Sequence, residues 1–167
     1  MKKVDTSNWQ SFPIKLLFEI RKGKRLTKAN MRDGNINFIG ASAANNGVTA
    51  KIANDEYLHK PNTITVNYNG SVGVSFYQSE PFWASDDVNV LYPLFPMNKH
   101  IALFLIPILQ HKGCMYAFVD KWKKEYMEKD TISLPTTNDG QPDWAYMEQF
   151  IIKREAKVAH FLDMLNE

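Results

Sequence analysis

Few of the residues able to do covalent chemistry in this 167-residue chain fall into a catalytic pattern. Nucleophilic catalysis needs a Ser or Cys activated by a histidine in reach, and the four histidines, at 59, 100, 111 and 160, sit in no such local signature. Neither the His-x-Glu with Cys-x-x-Cys of zinc deaminases nor the His-Glu-x-x-His of metalloproteases occurs. Asp86-Asp87 offers two carboxylates to a magnesium ion. The nuclease pattern would continue with Glu-x-Lys, whereas Val-Asn-Val-Leu-Tyr92 follows here, so turn capping or hydrogen bonding to nearby backbone is the better reading. Gly70-Ser-Val-Gly73 lacks the third glycine or the Gly-Lys-Ser/Thr ending of a phosphate cradle and reads as a turn. The lone cysteine, Cys114, excludes an internal disulfide and a multi-cysteine metal site, and its apolar neighbourhood from Gly113 to Phe118 places it in or just under the core. No metal and no cofactor is expected.

The charge is more informative than the catalytic inventory. The net value of +2 is unevenly spread: residues 1–40 hold nine Lys or Arg against three acids, whereas 41–100 and 101–167 are each net −2. The basic residues concentrate in Arg21-Lys-Gly-Lys-Arg-Leu-Thr-Lys28, around a glycine. Screening confines a charge's influence to about 8–10 Å, so a local run attracts phosphate even on a nearly neutral domain. A solvated positive face is the alternative.

The elements that must position these residues are mostly short. A composition 44% hydrophobic and 23% charged fits one globular domain with a small appendage. The chain from Trp9 alternates loosely, then becomes apolar up to Ile20. Ile36–Ile39 and Val48–Ile52 are short apolar pieces separated by small residues and the tight-turn pair Asn46-Gly47. Residues 62–70 alternate with a β period, and Gly70–Gly73 turns them into 74–77 as a hairpin. Phe82-Trp83 and Val88–Tyr92 continue the strand material, closed by Pro93 and Pro96. Residues 98–112 suit a buried helix beginning near Asn98, kinked or interrupted by Pro107. A short charged helix or turn at 120–129, a strand from Thr131 to Pro135 and a polar connector at Asn138–Pro142 follow. Asp143 is an N-cap candidate for a helix running to the end of the chain. Its residues Trp144, Met147, Ile151, Val158, Phe161 and Leu165 make a stripe of alternating threes and fours when Arg154 is admitted to the seam. The stripe covers about three heptads. It suits either a partner surface or packing back onto its own domain. With no leader and no apolar run of about 18 residues, a cytoplasmic protein without a membrane segment is expected.

Several segments resemble, in order, the target-recognition domains of specificity subunits of type I restriction-modification systems, in the branch shared with fused enzymes that have bipartite targets. They are Phe18-Glu-Ile-Arg-Lys-Gly-Lys-Arg-Leu-Thr-Lys28, Ile36-Asn-Phe-Ile-Gly-Ala-Ser42 with Asn45-Asn-Gly47, Thr65-Val-Asn-Tyr-Asn-Gly-Ser-Val-Gly73, Phe82-Trp-Ala-Ser-Asp-Asp-Val-Asn-Val-Leu91 and Pro142-Asp-Trp-Ala-Tyr-Met147. The resemblance implies a mixed α/β (α+β) fold. A β-rich recognition domain with short helices would span residues 1–138, and a linker with a spacer-type helix for dimerisation or partner docking would span 139–167. It implies a non-catalytic reader of double-stranded DNA. A partner methyltransferase, with or without a restriction subunit, would do the chemistry, because the chain lacks a glycine-bearing cofactor motif and the Asn/Asp-Pro-Pro-Tyr/Phe motif of DNA methyltransferases.

A full specificity subunit has two recognition domains and two spacer helices, whereas one of each is present here. Either the chain is a half-subunit that pairs with its own copy through the helix, giving two symmetric half-sites, or it is a fragment or a stand-alone relative. Phosphate contacts fix position and base contacts carry sequence. Lys22, Lys24, Arg25 and Lys28, with Lys121, Lys123 and Lys124 as a second cluster, are the phosphate candidates. Asn45, Asn46, Asn69 and Ser71 are the base-reading candidates, although Asn46 and Asn69 precede glycines and equally suit turns. The alternative function is a stand-alone DNA-binding or inhibitory mimic that docks on the partner through its C-terminal helix.

Overall fold

The computed structural model describes residues 4–116 and 120–165. The strands are β1 (Trp9–Pro13), β2 (Phe18–Lys22), β3 (Asp33–Ile39), β4 (Val48–Ile52), β5 (Thr63–Asn67), β6 (Ser75–Gln78), β7 (Phe82–Ala84), β8 (Val88–Pro93) and β9 (Thr131–Pro135). The α-helices are α1 (Ile14–Leu17), α2 (Lys99–Gly113), α3 (Lys124–Met127) and α4 (Trp144–Leu165). The mixed α/β architecture with a β-rich centre is as the sequence predicts.

The strands form three sheets, in the orders β1-β9, β2-β8-β5-β6 and β4-β3-β7. The β5–β6 hairpin predicted from alternation and the Gly70–Gly73 turn is present, pairing Thr63 with Gln78 through Val66 with Ser75. β8 runs through the middle of the four-stranded sheet, between β2 and β5. Both of its faces are covered, which is why Val88–Leu91 is buried without a break. Leu91 joins the main core with Ile64, Leu105 and Leu109, beneath α2. Val88 and Val90 pack instead with Ile39, Phe82 and Ala84, in a second cluster between the two larger sheets. Phe38 and Trp83 point the other way, as period-two neighbours must, and meet Ile52, Leu26 and Met31 in a third cluster.

β7 and β8 are separated by three residues yet belong to different sheets. β7 lies parallel to β3, pairing Asn37 with Phe82 and Ile39 with Ala84. The Ser85–Asp87 turn is thus the joint between the sheets, closed by Val88 N donating to Ser85 O at 3.1 Å.

Pro107 does not interrupt α2, and one expectation fails at the helix end. The helix is continuous through Pro107, with Asn98 capping it by accepting from Ile101 N at 3.0 Å. Pro107 is exposed, so the carbonyl it cannot serve lies on the outer side of the helix and the chain need not break. Cys114 is exposed rather than buried. It is the C-cap of α2, and the inward position belongs to Gly113, whose Cβ would stand 2.3 Å from the Gly73 Cα. The 117–118 end of the apolar stretch expected around Cys114 lies outside the described residues.

The connector is a turn at Gly140 (φ 74°) leading to Asp143, which accepts from Tyr146 N at 2.8 Å and caps α4 as expected. The first three turns of α4 share the main core. Met147 is fully buried, Trp144 stacks on Phe95 at 3.8 Å between centroids, and Ile151 is half-buried against the same cluster. Asn98 Nδ2 donates to Glu148 at 2.7 Å, and His100 meets Glu155 at 3.1 Å. Beyond these contacts the helix leaves the domain, with Val158, Phe161 and Leu165 at 59, 55 and 66% exposure. The stripe is one seam in two states. Its first half folds back on its own domain and its second half has no cover. Arg154, at the transition, lies 4.8 Å from the Phe150 ring centroid.

Candidate functional site

The basic run crosses the joint between the sheets. Lys22 is the last residue of β2, and the chain then passes beside β7. Gly23 N donates to Val88 O at 2.9 Å, Lys24 N to Ala84 O at 2.8 Å, and Trp83 Nε1 to Lys24 O at 2.7 Å. Gly23 is required by this approach, because a Cβ there would stand 2.0 Å from Ser85 O and 2.6 Å from Ala84 O.

The four phosphate candidates of this run take different supports. Lys22 Nζ lies 5.3 Å from the Tyr68 ring centroid and Lys24 Nζ 3.3 Å from that of Tyr57, which rests edge-on against Trp83. Aromatic faces hold an ammonium without neutralising it, at about 0.5–1 kcal/mol each on a surface. Arg25 Nη1 stands 3.5 Å from Asp86 Oδ2, with its side chain 76% exposed. Lys28 opens an exposed single 3₁₀ turn and lines the same cleft of about 450 Å³ as Arg25, Asp86 and Asp87.

The turn bearing the two aspartates is fixed from the other side. Tyr68 OH donates to Asp86 O through a short hydrogen bond, Tyr68 N to Asp87 O at 3.1 Å, and Asn69 Nδ2 to Asp87 Oδ1 at 2.7 Å. Burial first, then the charges of Asp87, Asp86 and Glu125, raise the Tyr68 phenol above its ordinary value and keep it a donor. The backbone carbonyls of Asp86 and Asp87 thus fix the turn, whereas the carboxylates do not bond nearby backbone as expected: that of Asp87 accepts from the Asn69 side chain and that of Asp86 faces Arg25.

The second basic cluster reaches the same end of the four-stranded sheet. Trp122 is fully buried, its carbonyl accepts from Asn89 Nδ2 at 3.4 Å, and Asn89 pairs with Lys22 in the β2–β8 ladder. Trp122 Nε1, Tyr116 OH and Lys112 Nζ all converge on Asp130, at 2.7, 2.6 and 2.9 Å. Lys121 has φ 46°, and its carbonyl accepts from Lys123 N at 2.7 Å. Lys123 is exposed, whereas Lys124 pairs with Glu128 at 3.5 Å.

The base-reading candidates divide. Asn69 stands at the joint, and Ser71 lies in the adjoining turn, half-buried, where its carbonyl accepts from Val74 N at 3.2 Å. Asn45 and Asn46 both have φ 52° and shape the loop between β3 and β4. Asn45 Nδ2 donates to Val48 O at 3.2 Å, and Asn46 Nδ2 to Tyr77 O at 3.2 Å and Gln78 Oε1 at 3.3 Å. Sequence reasoning missed the support of this loop, a buried polar row along one face of the β5–β6 hairpin. Gln78 Nε2 donates to Asn46 O and Thr65 Oγ1, and Asn67 Nδ2 to Ser42 O. The strict alternation of Thr63, Thr65 and Asn67 against Ile64 and Val66 is the signal that could have found it. Asn46 is held at the Gln78 end of the hairpin, whereas Asn69 lies beyond its Asn67 end.

The joint thus gathers Lys22, Arg25, Lys28 and Asn69 around Asp86-Asp87, with the 121–124 loop beside them. Asn45 and Asn46 lie elsewhere. The half-buried His59 is packed rather than poised for catalysis. It stacks on Phe82, its Nδ1 lies 2.9 Å from Tyr92 OH, and burial followed by the nearby Arg21 charge lowers its pKa to about 4. Among the described residues, no three His, Cys, Asp or Glu side chains are grouped to hold a metal. No described helix is long and apolar enough to cross a membrane.

Residues 6–159 match the family described as the type I restriction modification DNA specificity domain. The specificity subunit S.BcgI of a type II restriction enzyme from Heyndrickxia coagulans is 40% identical over 152 residues, which is 90% of this chain and 45% of that protein. A putative type I specificity subunit of Mycoplasma pneumoniae is 34% identical over 85 residues, half of this chain and 33% of its own length. In fold, the chain is similar to the S subunit of a type I restriction-modification system from M. genitalium (TM-score 0.62, 18% identity, 96% of this chain and 43% of that one). It is similar also to the HsdS subunit of Thermoanaerobacter tengcongensis (TM-score 0.64, 13% identity, 95% and 40%). The chain spans less than half the length of each of these relatives.

Proposed function

The chain belongs to the family of type I restriction-modification DNA specificity domains, and from that premise we propose that it reads one half of a bipartite duplex target and directs a partner methyltransferase to it. The observation that carries the reading is the family match over residues 6–159, nearly the whole chain. One structural feature supports it. The joint between the sheets presents Lys22, Lys24, Arg25 and Lys28 on a pinned backbone, with Asn69 beside them. Such an edge offers phosphate contacts for position and polar side chains for sequence. The chemistry of modification and cleavage belongs to partner subunits, and this chain contributes recognition.

We assign the uncovered half of α4 to assembly with a second copy of the chain. Val158, Phe161 and Leu165 continue the stripe that Trp144, Met147 and Ile151 bury in the domain, and a second helix of the same kind would cover them. A two-fold pair would present two recognition domains to two half-sites. Division of the chain near residue 138 is then one of role more than of packing, since the start of α4 is core.

Solution mass and duplex binding test both parts. The chain is expected to be a dimer, and removal of residues 157–167, which leaves Met147 and Ile151 in place, to give a folded monomer. Duplex is expected to be bound without cleavage or methylation until a methyltransferase subunit is added. A monomer throughout sinks the pairing. A chain that captures the methyltransferase through α4 but binds no duplex replaces the reader with an inhibitory mimic.

A further inference from the structure

We propose that Arg25 and Asp86 together read the major-groove edge of one G·C base pair, an inference that rests on the DNA-reading role above and deepens it. The run from Arg21 to Lys28 carries five cations and no acid. A surface built only for phosphate has no use for a carboxylate in that field, yet Asp86 is placed 3.5 Å from the most exposed guanidinium of the run. There it weakens the attraction of Arg25 for an anion. It supplies a charged hydrogen-bond acceptor next to a two-pronged donor, which the Thr27 hydroxyl of the segment does not.

That pairing has a complement in duplex DNA. Across the major groove a G·C pair shows two neighbouring acceptors, guanine N7 and O6, and then the cytosine N4 amino donor. Arg takes the two acceptors as a fork, and Asp accepts from the amine. At an A·T pair the second prong of the fork would meet the adenine N6 amine, donor against donor, and a thymine acceptor would face the carboxylate. The order of groups on Arg25 and Asp86 fits one pair and opposes the other.

The mounting is rigid on both sides. Gly23 pins the arginine-bearing segment against Ser85, the Tyr68 hydroxyl holds the Asp86 carbonyl, and Asn69 holds Asp87. Beneath the pair, the cleft of about 450 Å³ has Leu26, Met31 and Phe38 in its walls and hydroxyls from Thr27 and Thr49. Arg25 thereby moves from the phosphate set expected from sequence to the base-reading set, and Lys28, in the same cleft, remains a phosphate contact.

The test selects bound duplexes from a pool randomised over the target length, using the full chain with its methyltransferase partner, for wild type, Asp86→Asn, Arg25→Ala and Lys28→Ala. Wild type is expected to fix a G·C pair at one position of each half-site. Asp86→Asn should admit A·T there, reducing the preference about tenfold, and Arg25→Ala should lose it. Lys28→Ala should weaken binding evenly across sequences. A 7-deazaguanine at the fixed position, which lacks the N7 acceptor, should weaken wild type and leave Arg25→Ala unchanged. If wild type selects a sequence and both Asp86→Asn and Arg25→Ala select the same one with the same stringency, this inference is overturned and the DNA-reading role stands. If wild type selects no sequence, both fail.

Discussion

Replacing Gly23 by alanine tests whether the basic run owes its position to the backbone contact at the joint. The added Cβ would stand 2.0 Å from Ser85 O, and ordinary contact begins at 3.4 Å, so the two backbones must part by about 1.4 Å. Overpacking of this kind costs about 1–3 kcal/mol. Three hydrogen bonds, from Gly23 N to Val88 O, Lys24 N to Ala84 O and Trp83 Nε1 to Lys24 O, span the same gap at 2.7–2.9 Å, and that displacement takes them out of range. At about 1 kcal/mol each they raise the upper bound on the cost. Opening the segment avoids the clash, so the loss expected for local protection is about 3 kcal/mol. That is roughly a hundredfold in exchange rate, against a global stability of about 5–15 kcal/mol. Amide hydrogen exchange should therefore quicken at Lys24 and Ser85 in Gly23→Ala while Ile64 and Leu91 stay protected, and duplex binding should weaken at least tenfold. Unchanged exchange at Lys24, together with an unchanged urea midpoint, would refute the reasoning.

Two further substitutions probe the supports around the site. His59 has an unfolded-state pKa of 6.5 and a folded value of about 4. The unfolded chain therefore binds the extra proton first, and stability should fall as pH drops from 6.5 towards 4. His59→Phe, which keeps the stacking on Phe82, should flatten that part of the urea-midpoint profile; an unaltered slope would place the effect elsewhere. Asp130→Ala leaves Tyr116, Trp122 and Lys112 without their common acceptor and should cost about 3 kcal/mol in urea denaturation. The Tyr116 phenol, raised to about 12 by burial first and then by its hydrogen bond to Asp130 and that group's charge, should titrate closer to 10 in the variant. A change below about 1 kcal/mol would show that water replaces the carboxylate.

Local pattern made much of this fold readable. Alternation over 62–70 with a glycine turn predicts the β5–β6 hairpin because period and turn chemistry lie in adjacent residues. Asp143 is visible as a cap, and Asn98 as a helix start, for the same reason. The parallel pairing of β3 with β7 joins residues 45 positions apart, and the change of sheet between β7 and β8 depends on the partners of β8 in β2 and β5. No local period encodes those. Pro107 does not interrupt α2 because its cost depends on which side of the helix it occupies, a property of packing. At the site, charge counting located the basic run but treated Asp86 as a turn residue alone. That the run and the turn face one another is set by Gly23, whose role is legible only when Ser85 stands against it.

In the proposed pair, the unbroken α4 would make the placing of the two recognition domains a matter of phase. A helix that is core at Met147 and free at Phe161 transmits rotation along its length with no hinge to absorb it. One residue inserted after Arg154 would turn the outer seam by about 100° while lengthening the rod by only about 1.5 Å. Four inserted residues would nearly restore the face and add about 6 Å. In a paired assembly, the number of bases between two half-sites would then be written in helical turns, and targets would change by angular steps before they changed by length.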